Sequence, residues 1–357
     1  MSKSKTRIQV EVTGESPVTE PVQIPAPTPM QAVALDLGNA YCVLTASGGI
    51  TATWRSVQGR ISDAKRLKDL PFEDVLKFGE TWYVFGEKAY TYAPRNLEDY
   101  PAKNRYTSPW YKRLFTYALH RAYGLRVPTD ETMSPRVILS VPASLYSNEP
   151  IVQNIRRNLI GSHEIHTTFD TCLKVEIVPD DLVVIPEGAG SFIAAASVEG
   201  GGALNHGLWF VLDVGYLTTD LIVFRDGEYV PDFAMSDDAA GISEVAKTVA
   251  RHVAGVTGVD LDPVDIDPQL QCESIIVNSL TVPIKEVRDM GLMALGERIG
   301  RLVLQASAGQ NVTGVLLTGG GTDHVRNYIA AAGLPTITRT ANPRRDNVDG
   351  AFKMLVD

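Results

Sequence analysis

Three cysteines, Cys42, Cys172 and Cys272, are spread over 357 residues. So few, odd in number and far apart, they suggest neither a disulfide frame nor a zinc site, and they read as reduced core thiols of a cytoplasmic protein. An excess of positive charge is also missing. The net charge of -9 and the pI of ≈ 5.3 argue against nucleic-acid binding by the whole surface and leave room only for a local basic patch. No uncharged apolar run reaches membrane-spanning length. The nearest approach, Val183 to Val198, carries Glu187 and two glycines, and reads as a buried strand, a turn and a helix. No apolar segment of signal-peptide type opens the sequence. His163-Glu164-Ile165-His166 lacks the i,i+4 spacing of a zinc helix and has no third ligand, so no metal is expected there.

Against these absences stand two similar stretches. Residues 208–224 read LWFVLDVGYLTTDLIVF. An apolar strand ends in Asp213, Gly215 lets the backbone approach a ligand, and Leu221 to Phe224 leaves as a second strand. Arg225-Asp226-Gly227-Glu228 then turns the chain. The tip offers N–H groups, the hydroxyls of Thr218 and Thr219, and the carboxylate of Asp220. That chemistry suits phosphate with magnesium; it equally suits a core hairpin with a polar turn. Residues 31–47, QAVALDLGNAYCVLTAS, repeat the pattern with Asp36 and Gly38, 177 residues earlier in the chain. A pair of this kind fits two like-folded halves, each offering one acidic hairpin tip to a shared cleft.

The surrounding chain is read as follows. Residues 1–30, with Pro17, Pro21, Pro25, Pro27 and Pro29, form a flexible or polyproline tail, in which Arg7 to Val12 has weak strand character. Residues 50–105 are a small insertion containing a strand at Trp82 to Phe85. Trp110 to Tyr123 is a helix stopped by Gly124, with His120 on its surface. Arg136 to Val141 is a buried strand and Glu149 to Leu159 a helix. Strands over 175–178 and 183–186 lead to Glu187, two glycines and a small-residue helix over 191–198. Glu187 points into a cleft or serves as a helix N-terminal acid; both readings stand. Residues 199–207 and 260–268 are loops. Ser243 caps a helix over 244–254. A long helical region over 282–306 is interrupted near Gly291 and Gly296. Finally Val315 to Leu317 runs into Thr318 and Gly319-Gly320-Gly321, with Thr322 and Asp323 capping the next helix, and residues 347–355 close the chain as a short helix. The glycine run brings backbone close to a nucleotide, although no Gly-Lys-Ser/Thr follows it as in a P-loop.

In this order the pieces resemble the actin, sugar kinase and heat-shock chaperone superfamily, and within it the ParM-like plasmid-segregation actins and archaeal actins. Val211 to Asp220 is similar to their second phosphate motif, Leu317 to Gly321 to their adenosine motif, Val184 to Glu187 to the segment with the hydrolytic glutamate, and Asn347 to Leu355 to the closing helix. The resemblance covers about residues 31–357. It implies an α/β actin-like fold of two similar domains flanking a nucleotide cleft, each with a smaller inserted subdomain. Domain I would span 31–190, with its insertion at about 50–105 and with 340–357 packing back on it; domain II would span 191–339. One departure stands out: Val43 occupies the place where the family's first phosphate motif carries a lysine.

The resemblance further implies a filament-forming ATPase using ATP or GTP with Mg2+. Asp36 and Asp213 would hold the metal. Gly38, Asn39, Gly215, Tyr216, Thr218 and Thr219, together with Asp36, would bind phosphates, and Gly319, Gly320 and Gly321 the adenosine. Glu187, with Asp213, would be catalytic. The expected partners are further copies of the chain and a DNA-binding adaptor for plasmid segregation, with no direct nucleic-acid or membrane contact. The alternatives are a small-molecule kinase, for which no sugar-kinase signature is seen, and a non-polymerising scaffold. The membrane-tethered form of such a scaffold usually needs a terminal amphipathic helix, which neither chain end offers.

Overall fold

The computed structural model of the chain describes residues 31–62, 72–98, 104–124, 132–168, 172–198, 200–329 and 336–356. The expected tail, residues 1–30, lies outside them. Two sheets are built on the same plan. In the first, strands Leu182–Pro186, Arg136–Val141, Ala32–Leu37, Tyr41–Ala46 and Ile50–Arg55 lie side by side. The first three are parallel, and the last three form an antiparallel meander. The second plan-mate has Ile337–Arg339, Val312–Thr318, Leu208–Val214, Thr219–Arg225 and Glu228–Tyr229 in the same order, with the same directions. Each half therefore runs meander first, then adds two parallel strands beside the strand that ends in the key aspartate. Register matches as well: Asp36 faces Val43 and Ser140, and Asp213 faces Asp220 and Thr318.

Local sequence explains the punctuation. Asp226 and Gly227 both have positive φ, 50° and 84°, as a two-residue hairpin turn with right-handed strand twist requires. Helix Pro109–Tyr123 begins where Ser108 Oγ accepts from the Tyr111 N–H at 3.2 Å, with proline in its first turn, a capping arrangement that satisfies an otherwise orphan donor. Asn148 does the same for helix Glu149–Leu159.

Several expectations are corrected. Ile50–Arg55 belongs to the first sheet as its edge strand and not to the insertion. A separate seven-stranded sheet combines strands of residues 58–98 with Thr132–Met133, Gly161–His166 and Cys172–Ile177, pairings invisible to local pattern. His120 is 2% exposed, so it is a core residue, and desolvation lowers its pKa to about 4. Of the cysteines, all free, only Cys42 is buried, and Cys272 is exposed. Helix Lys285–Ser307 is continuous through Gly291 and Gly296. A Cβ at Gly296 would lie 2.3 Å from the Tyr328 carbonyl, so this glycine serves packing and does not break the helix. Residues 263–266 are a short helix capped by Asp262, and 201–205 form a 3-10 helix. Ser243 lies inside helix Ile242–Thr257 and is buried, and Gly241 occupies the cap. Thr322 and Asp323 are likewise inside the short helix Thr322–Val325, which follows Gly321.

Apolar side chains of the two plan-mates meet in one shared core. Ala34, Ile138 and Ile185 from the first sheet and Val211, Ile222, Phe224 and Leu316 from the other belong to a single cluster, completed by helices Ala189–Ala196 and Asp346–Val356. Phe192 stacks on Phe224 with ring centroids 3.9 Å apart. The two helices cross backbone to backbone at glycines. A Cβ at Gly350 would lie 1.8 Å from the Gly190 carbonyl oxygen, and one at Gly190 would lie 1.8 Å from that of Asn347. This crossing sets the spacing of the halves and leaves a cleft at the carboxyl ends of their central strands.

Candidate nucleotide site

The cleft holds a cavity of ≈ 370 Å³ whose lining includes Asp36, Glu187, Asp213 and Gly319. The two hairpin tips, remote in sequence, thus reach one space. Of the expected residues, Asp36, Gly38, Asn39, Glu187, Asp213, Gly215, Tyr216, Thr218 and Gly319 to Gly321 all line it. Thr219 does not. As a strand residue paired with Val214 it faces away, is fully buried, and donates its hydroxyl to the Ala240 carbonyl. Strand alternation, period two, puts neighbouring Thr218 and Thr219 on different tasks.

Each side chain is fixed by its element. Asp36 and Asp213 stand near the ends of the central strands. Asp36 Oδ2 accepts from Asn347 Nδ2 at 3.1 Å, while Asn347 Oδ1 accepts the Gly188 N–H at 3.0 Å. One amide of the closing helix therefore ties the first aspartate to the turn that follows Glu187. Glu187 itself ends a strand, with its N–H on the Val141 carbonyl at 2.7 Å, and Gly188 turns the chain at φ 88°. Gly319, at φ 90°, passes so close to the second aspartate that a Cβ would lie 2.3 Å from Asp213 Oδ1. Here glycine is required both for conformation and for space. Gly320 is open, with nothing within 4 Å of an added Cβ, and it leaves bare backbone facing the cavity.

Electrostatics single out the same place. Burial pushes the carboxyls of Glu187 and Asp213 well above the ordinary range, and neighbouring acids add to it: Asp36, Asp220 and Asp213 act on Glu187, while Asp36 and Asp220 act on Asp213. Asp36 and Asp220 are raised by burial too, partly offset by their hydrogen bonds. Four carboxyls at one cavity wall are self-repelling unless a cation joins them. Among the described residues no group of three or more His, Cys, Asp or Glu is placed to hold a metal ion unaided. A cation held mainly through water and phosphate oxygens is compatible with that.

Several contributors escaped the sequence. Asp220 Oδ1 accepts the Ala143 N–H at 2.9 Å, which carries the second hairpin across to the first half. Asn347, Arg344, Arg345 and Asp267 line the cavity. Arg105 lies behind the first tip, its guanidinium on the Leu37 and Gly38 carbonyls at 2.5 and 2.7 Å. It also holds Asn39 Oδ1, so Asn39 has its side chain turned to this arginine. No motif announces these residues, apart from the place of Asn347 in the closing helix.

Residues 211–331 match the family model described as archaeal actin homologue MreB-like, C-terminal. No curated protein matches the chain. Among solved structures, the pCBH ParM non-polymerisable quadruple mutant superimposes with a TM-score of 0.74 at 18% identity, over 91% of this chain and 98% of that one. Ta0583, an archaeal actin homologue, in complex with ADP gives 0.72 at 19% identity, over 91% and 99%. A 15-stranded ParM filament from Clostridium botulinum gives 0.72 at 17% identity, over 92% and 99%. The chain thus has the actin-like fold of the ParM and archaeal actin homologues, as the order of its motifs implied.

Proposed function

We propose that this protein is a nucleotide-driven, filament-forming actin-like ATPase that acts in DNA segregation through an adaptor. The observation that carries the nucleotide reading is the convergence of two equivalent hairpin tips, with Asp36 and Asp213, on one cavity that also contains Glu187 and the triple glycine. Relatives of the same fold include Ta0583 bound to ADP and Bacillus thuringiensis ParM with AMPPNP, which supports a nucleotide in this cavity.

In this reading the backbone at Gly38–Asn39 and Gly215 to Thr218 cradles the phosphates, and the Gly319 to Gly321 backbone passes beside the nucleoside. Asp36 and Asp213 are the residues that would hold magnesium, largely through its water ligands. That ion, when bound, supplies the charge that neutralises the phosphate oxygens. Glu187 orients the attacking water and takes its proton. A carboxyl raised by burial and neighbouring acids is a better base near neutral pH than an ordinary one. Hydrolysis would then set the cleft geometry on which head-to-tail contacts depend, a heterologous association that need not close.

The test is Glu187→Gln. Nucleotide affinity should be kept while phosphate release falls about a hundredfold or more; unchanged release removes Glu187 from the role. Sedimentation with and without ATP or GTP tests assembly. A protein that stays monomeric under every nucleotide condition would exclude the filament.

A further inference from the structure

Val43 lines the cavity and faces Asp36 across the first hairpin, and it carries no charge. On the other side of the same tip lies Arg105, 6% exposed. The rings of Tyr106, Trp110 and Tyr111 surround its guanidinium at 5.5, 5.6 and 5.6 Å from their centroids. Its donors hold the Leu37 and Gly38 carbonyls and Asn39 Oδ1, and Ser56 Oγ donates to the Gly38 carbonyl as well at 2.5 Å. In a planar trans peptide the N–H points opposite to the preceding C=O. Carbonyls drawn to Arg105 therefore aim the Gly38 and Asn39 N–H groups the other way, and those two residues line the cavity while Arg105 does not. The guanidinium also stays charged in this apolar cage, and its charge lowers the carboxyls of both Asp36 and Glu187.

We propose that Arg105 is a positioning residue of the nucleotide site, which holds the first phosphate loop open from behind and supplies the positive charge absent at Val43. The proposal rests on the nucleotide reading above and deepens it. No other side chain with a printed contact pins both carbonyls of the loop. The aromatic cage fixes a planar fork, a geometry a flexible lysine cannot copy.

The experiment uses the full chain with Arg105→Met, Arg105→Lys and the double variant Arg105→Met/Val43→Lys, with circular dichroism as a check of folding. Titration with the magnesium complex of ATP or GTP should show affinity in Arg105→Met at least about tenfold weaker than wild type. Because the guanidinium lowers Asp36 and Glu187, the acidic limb of the hydrolysis profile should move to higher pH. Val43→Lys, which places a charge beside Asp36 from the cavity side, should recover part of the affinity and move the limb back. If Arg105→Met does not fold, Arg105→Lys decides: it keeps the charge but loses the fork, so affinity should fall while the acidic limb stays. A folded Arg105→Met, or failing it Arg105→Lys, with wild-type affinity and an unshifted profile overturns the proposal. A wild-type protein that binds neither nucleotide refutes the nucleotide reading instead, a result distinguishable at once from loss in the variants alone.

Discussion

Gly350→Ala tests whether the helix crossing holds the two halves at their observed spacing. The new methyl would lie 1.8 Å from the Gly190 carbonyl oxygen, 2.7 Å from its carbon and 2.8 Å from the Ala194 nitrogen. All three atoms are backbone, so no rotamer change relieves the contact, and the helices must separate by about 1.5 Å to restore ordinary packing. Separation loosens Phe192, Val348, Ala351 and Leu355, all buried in the shared core. Overpacking of this kind costs about 3 kcal/mol. Replacing glycine by alanine in a helix returns about 1 kcal/mol, leaving a net loss of about 2 kcal/mol. Gly255→Ala is the control. It lies in helix Ile242–Thr257 with nothing within 4 Å of the added methyl, so only the propensity gain of about 1 kcal/mol or less remains. Urea unfolding should move the midpoint down for Gly350→Ala and slightly up for Gly255→Ala. Nucleotide affinity should also fall in the former, because Asn347 on the same helix holds Asp36 and Gly188. If Gly350→Ala is as stable as Gly255→Ala, the close crossing is wrong.

Two further outcomes follow from the cleft. The carboxyls of Asp36, Glu187, Asp213 and Asp220 are all raised from ordinary values of 3.8 or 4.5, so the folded state favours their protonated forms. Their contribution to stability is full below those values and is lost as pH rises through the raised ones. Without nucleotide or divalent cation, stability should decline from about pH 4 toward neutrality, less so in Asp213→Asn, which should also bind the magnesium nucleotide more weakly; parallel stability profiles for the two proteins would contradict this. Across the cleft mouth, Arg55 on the first sheet meets Asp265 at 2.8 Å and Tyr90 Oη at 2.8 Å. Asp265 is 55% exposed, so the pair is worth at most about 1 kcal/mol. Arg55→Ala should therefore speed release of a fluorescent nucleotide up to about fivefold, and an unchanged release rate would show that this contact does not restrain the cleft.

Sequence alone determined the two acidic hairpins, the glutamate before a glycine turn and the glycine run, because each is local: an apolar strand, a turn residue and a polar tip lie within a dozen positions. It also fixed their order, from which the actin-like fold followed. It misjudged His120, the bounds of the insertion, and Gly291 and Gly296, since helical period and glycine content say nothing of which neighbour will cover a face. Only the tertiary structure decided that Asp36 and Asp213 share one cavity, that Thr218 faces it while Thr219 does not, and that Arg105 and Asn347 hold the first tip. Those facts depend on the register of strands distant in sequence and on two helices crossing at Gly190 and Gly350, and contacts between such distant segments leave no periodic trace in the chain.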